Sequence, residues 1–289
     1  MHAATIFISA FLLFQVQPLI ARYILPWYGG SPAVWSTCML FFQVGLLVGY
    51  TYAHALSSYL KPQKQVWVHL SLLLGSLLLL PITPGEHLKP VDGNHPALGV
   101  ILLLLSTVGI PYMLISSTGP LLQKWFGLTY PTRSPYRLYS LSNIGSLLGL
   151  ITYPFLVEPN FPVSGQTVGW SWGYGLFVLC CAASGLLLTR ISAPLKESVS
   201  PDSTRPANAA SPNPLLWLCL SASGSVLLLS ATNFVCQNVA VIPFLWVLPL
   251  ALYLISFIIT FDNATWYLRR IWLSALLIII PIIFYFLVR

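Results

Sequence analysis

The sequence predicts an all-α, polytopic helical membrane protein, and three observations carry that reading. Hydrophobic residues make up 57% of the 289 residues, while Asp, Glu, Lys and Arg together reach only 7%. A water-soluble domain has about a quarter of its residues charged, so the surface of this chain is built to face lipid. The apolar residues also come in long continuous runs, and nearly every charge falls between them. Continuous runs indicate helices, because an open strand in lipid leaves backbone groups unpaired and a membrane barrel shows strict alternation instead.

A helix crossing a hydrocarbon layer of about 30 Å needs about 20 mostly apolar residues. That criterion places nine transmembrane helices, at residues 4–24, 33–56, 66–82, 98–126, 136–156, 168–189, 215–231, 241–261 and 271–287. The first run has no basic segment before it. Gln15, Gln17, Pro18 and Arg22 follow where a signal-peptide cleavage pattern would stand, so it is expected to remain as a helix. In the fourth run, Pro111 and Pro120 flank the polar cluster Ser116, Ser117, Thr118 and Gly119. Proline removes a backbone donor, which predicts either a kink or a broken helix that lines a site. In the fifth run Gly145 and Gly149 fit the GxxxG spacing, and Ser142 and Ser146 widen the small face; close helix packing is the expectation there.

Lys and Arg orient such a chain. Lys61, Lys64, Lys124, Arg133, Arg137, Arg190, Lys196, Arg205, Arg269 and Arg270 fall in or beside the even-numbered connections. The odd connections hold only Arg22 and Lys89. The bias predicts a multi-pass protein with the N-terminus cytoplasmic and the C-terminus on the opposite side. The formal charge of +7 is then a topology signal and an attraction to anionic headgroups, and no nucleic-acid partner is expected.

Residues 192–213, SAPLKESVSPDSTRPANAASPN, are rich in Pro, Ser and charge and read as a flexible cytoplasmic linker. The expected organisation is a six-helix bundle at 1–190, a linker at 191–213 and a three-helix segment at 214–289. Six helices before such a linker is the gross plan of the first half of major facilitator transporters, followed here by an incomplete second half. That second half is expected either to belong to a longer protein or to be completed by a partner.

Polar groups inside lipid are costly, so each one needs a reason. Gln15 and Arg22 are seven apart in the first run and share a face, with Gln17 and Pro18 between them. Gln43, Tyr50 and His54 fall on one stripe of the second. Tyr136, Tyr139, Asn143 and Ser146 form a stripe on the fifth, with Glu158 at its outer end, and Asn233 and Gln237 lie where the seventh run gives way to the eighth. Gln15, Gln43, Tyr50, His54, Tyr139, Asn143, Glu158, Asn233 and Gln237 are therefore candidate substrate-binding residues around a hydrated pocket. The plainer alternative is that these groups only hydrogen-bond neighbouring helices or belong to interfacial aromatic belts, and that Arg22 reaches to the interface. No Asp or Glu lies mid-span, so a carboxylate relay for protons is not expected. Cys38, Cys180, Cys181, Cys219 and Cys236 include no CxxC pair, and the histidines show no paired ligand spacing; no metal site and no cofactor is expected.

Four phrases stand out together: residues 14–54, FQVQPLIARYILPWYGGSPAVWSTCMLFFQVGLLVGYTYAH; SSTGPLLQKWF; residues 134–159, SPYRLYSLSNIGSLLGLITYPFLVEP; and residues 232–261, TNFVCQNVAVIPFLWVLPLALYLISFIITF. This set resembles the membrane region of the fused major-facilitator/spermidine-synthase-like family of bacterial integral membrane proteins. The resemblance implies that the membrane is a bacterial inner (cytoplasmic) membrane, which makes the side expected for the C-terminus periplasmic. It also implies a soluble synthase-like domain with a glycine-rich nucleotide turn, and this sequence carries no such turn after a strand. The expectation is accordingly not an enzyme but a non-catalytic bundle acting as an accessory or scaffold subunit of a membrane complex, with the lipid bilayer and a protein in the membrane as partners. Two alternatives stand beside it. One is a transporter or binder of a small polar or cationic metabolite such as a polyamine; the other is a membrane anchor for a separately encoded synthase-like domain.

Overall fold

The structure, a computed structural model, describes residues 1–29, 31–90, 96–131, 135–192, 213–238, 247–262, 266 and 268–288. The described residues are helical and contain no strand. Helix α1 (His2–Tyr28) runs through Pro18 and Pro26 and stops at Gly29, whose φ of 80° is a turn conformation that a side chain would resist. Ser31 then caps α2 (Pro32–Tyr59), accepting the Val34 N–H on its hydroxyl, with proline at the first helical position where its missing donor costs nothing.

Helix α3 (Pro62–Ser76) also opens on a proline, without a side-chain cap, and tightens into a 3-10 turn at Leu77–Leu79. Pro81 disfavours helical backbone at Leu80, so the helix ends earlier than the expected run to residue 82. Helix α4 (Pro96–Leu104) passes through a π turn at Leu105–Gly109 into α5 (Ile110–Thr129), making one rod over Pro96–Thr129. The π turn sits just before Pro111, which cannot donate to the carbonyl one turn back; Ser106 and Thr107 fold their hydroxyls onto the Leu103 carbonyl in the same stretch. The same device recurs where α6 (Tyr136–Thr152) widens into a π turn at Tyr153–Val157 around Pro154 before the short α7 (Glu158–Asn160).

Helices α8 (Val163–Ser192), α9 (Pro214–Asn238), α10 (Val247–Asp262) and α11 (Arg269–Val288) complete the chain. Among the described residues, six stretches are long and apolar enough to cross a membrane: His2–Tyr28, Val34–Tyr59, Pro96–Thr129, Tyr136–Asn160, Val163–Arg190 and Pro214–Thr232. Helix α10 is shorter, with residues 241–246 of its expected span outside the described residues. Most of the expected linker, 193–212, lies outside them as well.

The core is the junction of α1, α5, α6 and α8. Trp125, Tyr174, Phe177 and Ile20 are among its fully buried side chains. Glycine sets how closely the helices approach. A Cβ on Gly145 would stand 2.7 Å from the Phe7 carbonyl oxygen, and one on Gly149 would stand 2.5 Å from that of Phe11, so α6 lies directly on the α1 backbone. Ser146 is buried beside them and Ser142 half-buried. A second, smaller cluster of Leu150, Ala251 and Leu254 holds α10 against α6. No described residue of α9 or α11 is buried.

Basic and polar side chains mark one end of the bundle. There Lys124 Nζ donates to the Ser57 carbonyl at 2.8 Å and the His2 ring meets Phe126 and Tyr130 edge-on. Arg22 and Glu158 pair at the opposite end, where Tyr28 donates to the Leu88 carbonyl at 2.7 Å. Lys89 lies 5.3 Å above the Trp27 ring there and binds Glu86 at 2.9 Å.

Candidate functional site

Helix α2 buries one face against α5 and leaves another open. Phe42, Gly45, Gly49 and Ala53 turn inward, with Gly45 packed on the Tyr112 ring. Gln43, Tyr50 and His54 stand on the flank of the same helix and are all exposed, Tyr50 by 49%. Spacings of seven and four put them on one stripe, as helical geometry requires.

Tyr50 is where that stripe meets other helices. Its hydroxyl lies within electrostatic reach of Tyr139 on α6 and of Tyr112 on α5. Tyr139 is 42% exposed and stacks its ring on Phe261 of α10 at 5.5 Å. Tyr112 is buried, and Gln17 of α1 reaches its hydroxyl through a long contact of 3.5 Å. Tyr50 and Tyr139 are thus exposed at a cleft between their helices, and the Gln17–Tyr112 contact is part-buried behind them. Hydroxyls and ring faces can hold a polar or planar solute, but they supply no fixed charge.

The remaining sequence-derived candidates go elsewhere. Gln15 is buried on the opposite side of α1 from Gln17, with its amide donating to Thr152 Oγ1 at 3.3 Å, so it ties α1 to α6. Asn143 is half-buried and donates to the Tyr139 carbonyl at 2.8 Å, bracing its own helix next to the cleft. Glu158 pairs with Arg22 at the far end, so this arginine bridges α1 and the α6–α7 corner. Asn233 and Gln237 fall on α9, but their side chains lie outside the described residues. The polar cluster of the fourth span is also inward. Ser116, Ser117 and Thr118 are buried and return their hydroxyls to the Met113 and Leu114 carbonyls.

Two residues of the cleft, Gln17 and Tyr112, are absent from the sequence-derived set. Gln17 sits in plain view between Gln15 and Arg22, and its rotation of about 200° from Gln15 (at about 100° per residue) was the available signal. Tyr112 reads as one aromatic in an apolar run, and nothing local distinguishes it.

Buried polar networks lie apart from the cleft, nearer the basic end. The Trp125 indole donates to Gln65 Oε1 at 3.0 Å, and the Gln65 amide donates to the Leu60 carbonyl at 2.8 Å. Fully buried His69 shares Nδ1 with the Tyr52 hydroxyl at 3.3 Å and meets Trp125 edge-on. These groups join α2, α3 and α5. Among the described residues, no group of three or more His, Cys, Asp or Glu side chains is placed to hold a metal ion.

No family model, no curated protein and no solved structure matches this chain.

Proposed function

We propose that the chain is a membrane-embedded bundle that binds, and in a completed assembly moves, a small polar metabolite through the cleft between α1, α2, α5 and α6. The supporting observation is the exposure of Tyr50 on α2 and Tyr139 on α6, with the Gln17–Tyr112 contact of α1 and α5 part-buried behind them. A polar stripe facing hydrocarbon would be costly, so water or a solute is its natural partner. Prolines with π turns in two of the cleft helices supply places where the rods can bend.

In this reading the full arrangement is nine spans, six before the linker and three after it, with the basic end in the cytoplasm of a bacterial inner membrane. The resemblance to the fused major-facilitator/spermidine-synthase-like family supports the same plan. The cleft offers a polyamine ring faces, while Glu158 lies at the far end of the bundle beside Arg22, so an uncharged polar solute suits it better. The test is uptake into proteoliposomes, with spermidine and neutral polar solutes supplied in parallel. Tyr50→Phe and Tyr139→Phe should lower uptake while leaving the purified protein monodisperse. Unchanged uptake in the double variant would overturn the cleft.

A second reading, an accessory subunit with no enzymatic activity, is favoured by the surfaces of α9 and α11, on which no described residue is buried. It requires a stoichiometric partner in mild detergent, covering α9 and α11; a lone monomer would count against it. An anchor for a separately encoded synthase-like domain is the special case in which that partner is soluble.

A further inference from the structure

A groove of about 400 Å³ runs along the outside of the bundle between α1 and α8, closed at one end by Val157 and Phe161 of the α6–α7 corner. Its floor is fastened by the Trp170 indole, which donates to the Leu12 carbonyl at 2.9 Å. Glycines on α8 keep it open. Gly173 lies so close to Leu12 that a Cβ would stand 2.9 Å from Cδ2, whereas a Cβ on Gly169 would meet nothing within 4 Å. Its α1 wall is apolar except for Gln15, whose amide is already bonded to Thr152.

From Phe7 to Leu19 this wall extends about 18 Å along the helix, close to the thickness of one hydrocarbon leaflet, about 15 Å. Arg22 follows one turn beyond Leu19. It falls on the stripe of Ile8, Phe11 and Gln15, at spacings of three, four and seven, and its partner Glu158 follows the lining residue Val157, so the pair stands just beyond the end of the groove. Both side chains of the pair retain exposed surface, 43% and 22%.

We infer that this groove seats one acyl chain of a phospholipid whose zwitterionic phosphoethanolamine headgroup is read by the Arg22–Glu158 pair. The guanidinium has donors beyond the one engaged by Glu158 and offers them to the phosphate, while the carboxylate accepts from the primary ammonium. The two signs side by side match a headgroup that carries both. A quaternary choline cannot donate a hydrogen bond to Glu158, and a phosphoglycerol brings no cation to it. The assignment rests on the chain spanning a membrane and is independent of the cleft, which opens on the other side of α1.

The test reconstitutes the full chain separately with phosphatidylethanolamine, phosphatidylcholine or phosphatidylglycerol. Retained lipid is counted by native mass spectrometry after transfer to detergent. The expected result is a retained phosphatidylethanolamine that is lost in Gly169→Phe, a variant whose ring enters open space. Arg22→Gln combined with Glu158→Gln should abolish the preference over the other two lipids. A photoactivatable acyl chain on phosphatidylethanolamine, applied to the unaltered protein, should label peptides of α1 and α8 around Phe11 and Gly169, a readout that does not depend on a variant folding. Equal retention of all three lipids, retention unchanged in Gly169→Phe, or labelling spread evenly over the helices would each overturn the assignment.

Discussion

Gly149 shows how much a single missing side chain can decide. Its α-carbon faces the Phe11 carbonyl so closely that any Cβ must push α6 away from α1. Gly149→Ala should therefore lower thermal stability in detergent, at a cost of about 1–3 kcal/mol of the kind overpacking produces. Gly175 on α8 has nothing within 4 Å of its Cβ direction, so Gly175→Ala should leave the melting temperature unchanged or raise it slightly through helix propensity. A parallel melting series of the two variants separates packing from propensity. Trp125 sets a second residue-scale test. Trp125→Phe keeps most of the ring but strips buried Gln65 of the donor to its carbonyl, and the loss should be about 1–3 kcal/mol in the same assay. Equal melting temperatures for wild type and Trp125→Phe would mean that water replaces the indole.

At the scale of elements, the α6–α10 contact joins helices that lie on either side of residues 193–212 in the sequence. Leu150 of α6 meets Ala251 and Leu254 in a small cluster of its own, and Tyr139 stacks on Phe261 one end further along. In lipid the helices gain little from hydrophobic transfer, so this contact depends on dispersion between fitted surfaces, and truncating Leu150 removes many such contacts at once. Leu150→Ala should raise the maleimide reactivity of a Leu254→Cys reporter, while truncation of the exposed Leu148 on α6 should not. Equal reactivity in both backgrounds would show that the stack at Phe261 holds α10 without the cluster. The π turns act at the same scale: each widens a helix beside a proline, at Pro111 and at Pro154, and each lies in a rod that borders the cleft.

At the scale of the whole molecule, the distribution of charge makes a directional statement. Lys61, Lys64, Lys124 and Arg190 lie toward the end at which Lys124 meets the Ser57 carbonyl, whereas Glu86, Lys89, Arg22 and Glu158 gather at the other. In a background with the native cysteines replaced by alanine, Lys64→Cys and Lys89→Cys should react with a membrane-impermeant maleimide from opposite faces of sealed vesicles. Labelling of both from one face would overturn the transmembrane arrangement, and the lipid groove and the cleft would fall with it.

The sequence by itself determined the composition of the solvent-facing surface, the helical character of the runs and the spacing of each polar stripe, because hydrophobic content and helical period are local properties. It placed Gln43, Tyr50 and His54 on one face and Gly145 with Gly149 on another, since four-residue and seven-residue intervals need only the pitch of a helix. Only the tertiary structure decided which faces meet. Gln15 and Gln17 are two residues apart and equally polar, yet one is spent on Thr152 and the other turns to Tyr112, since the docking of α6 and α5 on opposite sides of α1 gives each a different neighbour. Arg22 and Glu158, 136 positions apart, become an ion pair for the same reason. Long-range contact is set by how glycine, proline and aromatic volumes let the rods pack together, and no local pattern in a single chain records that.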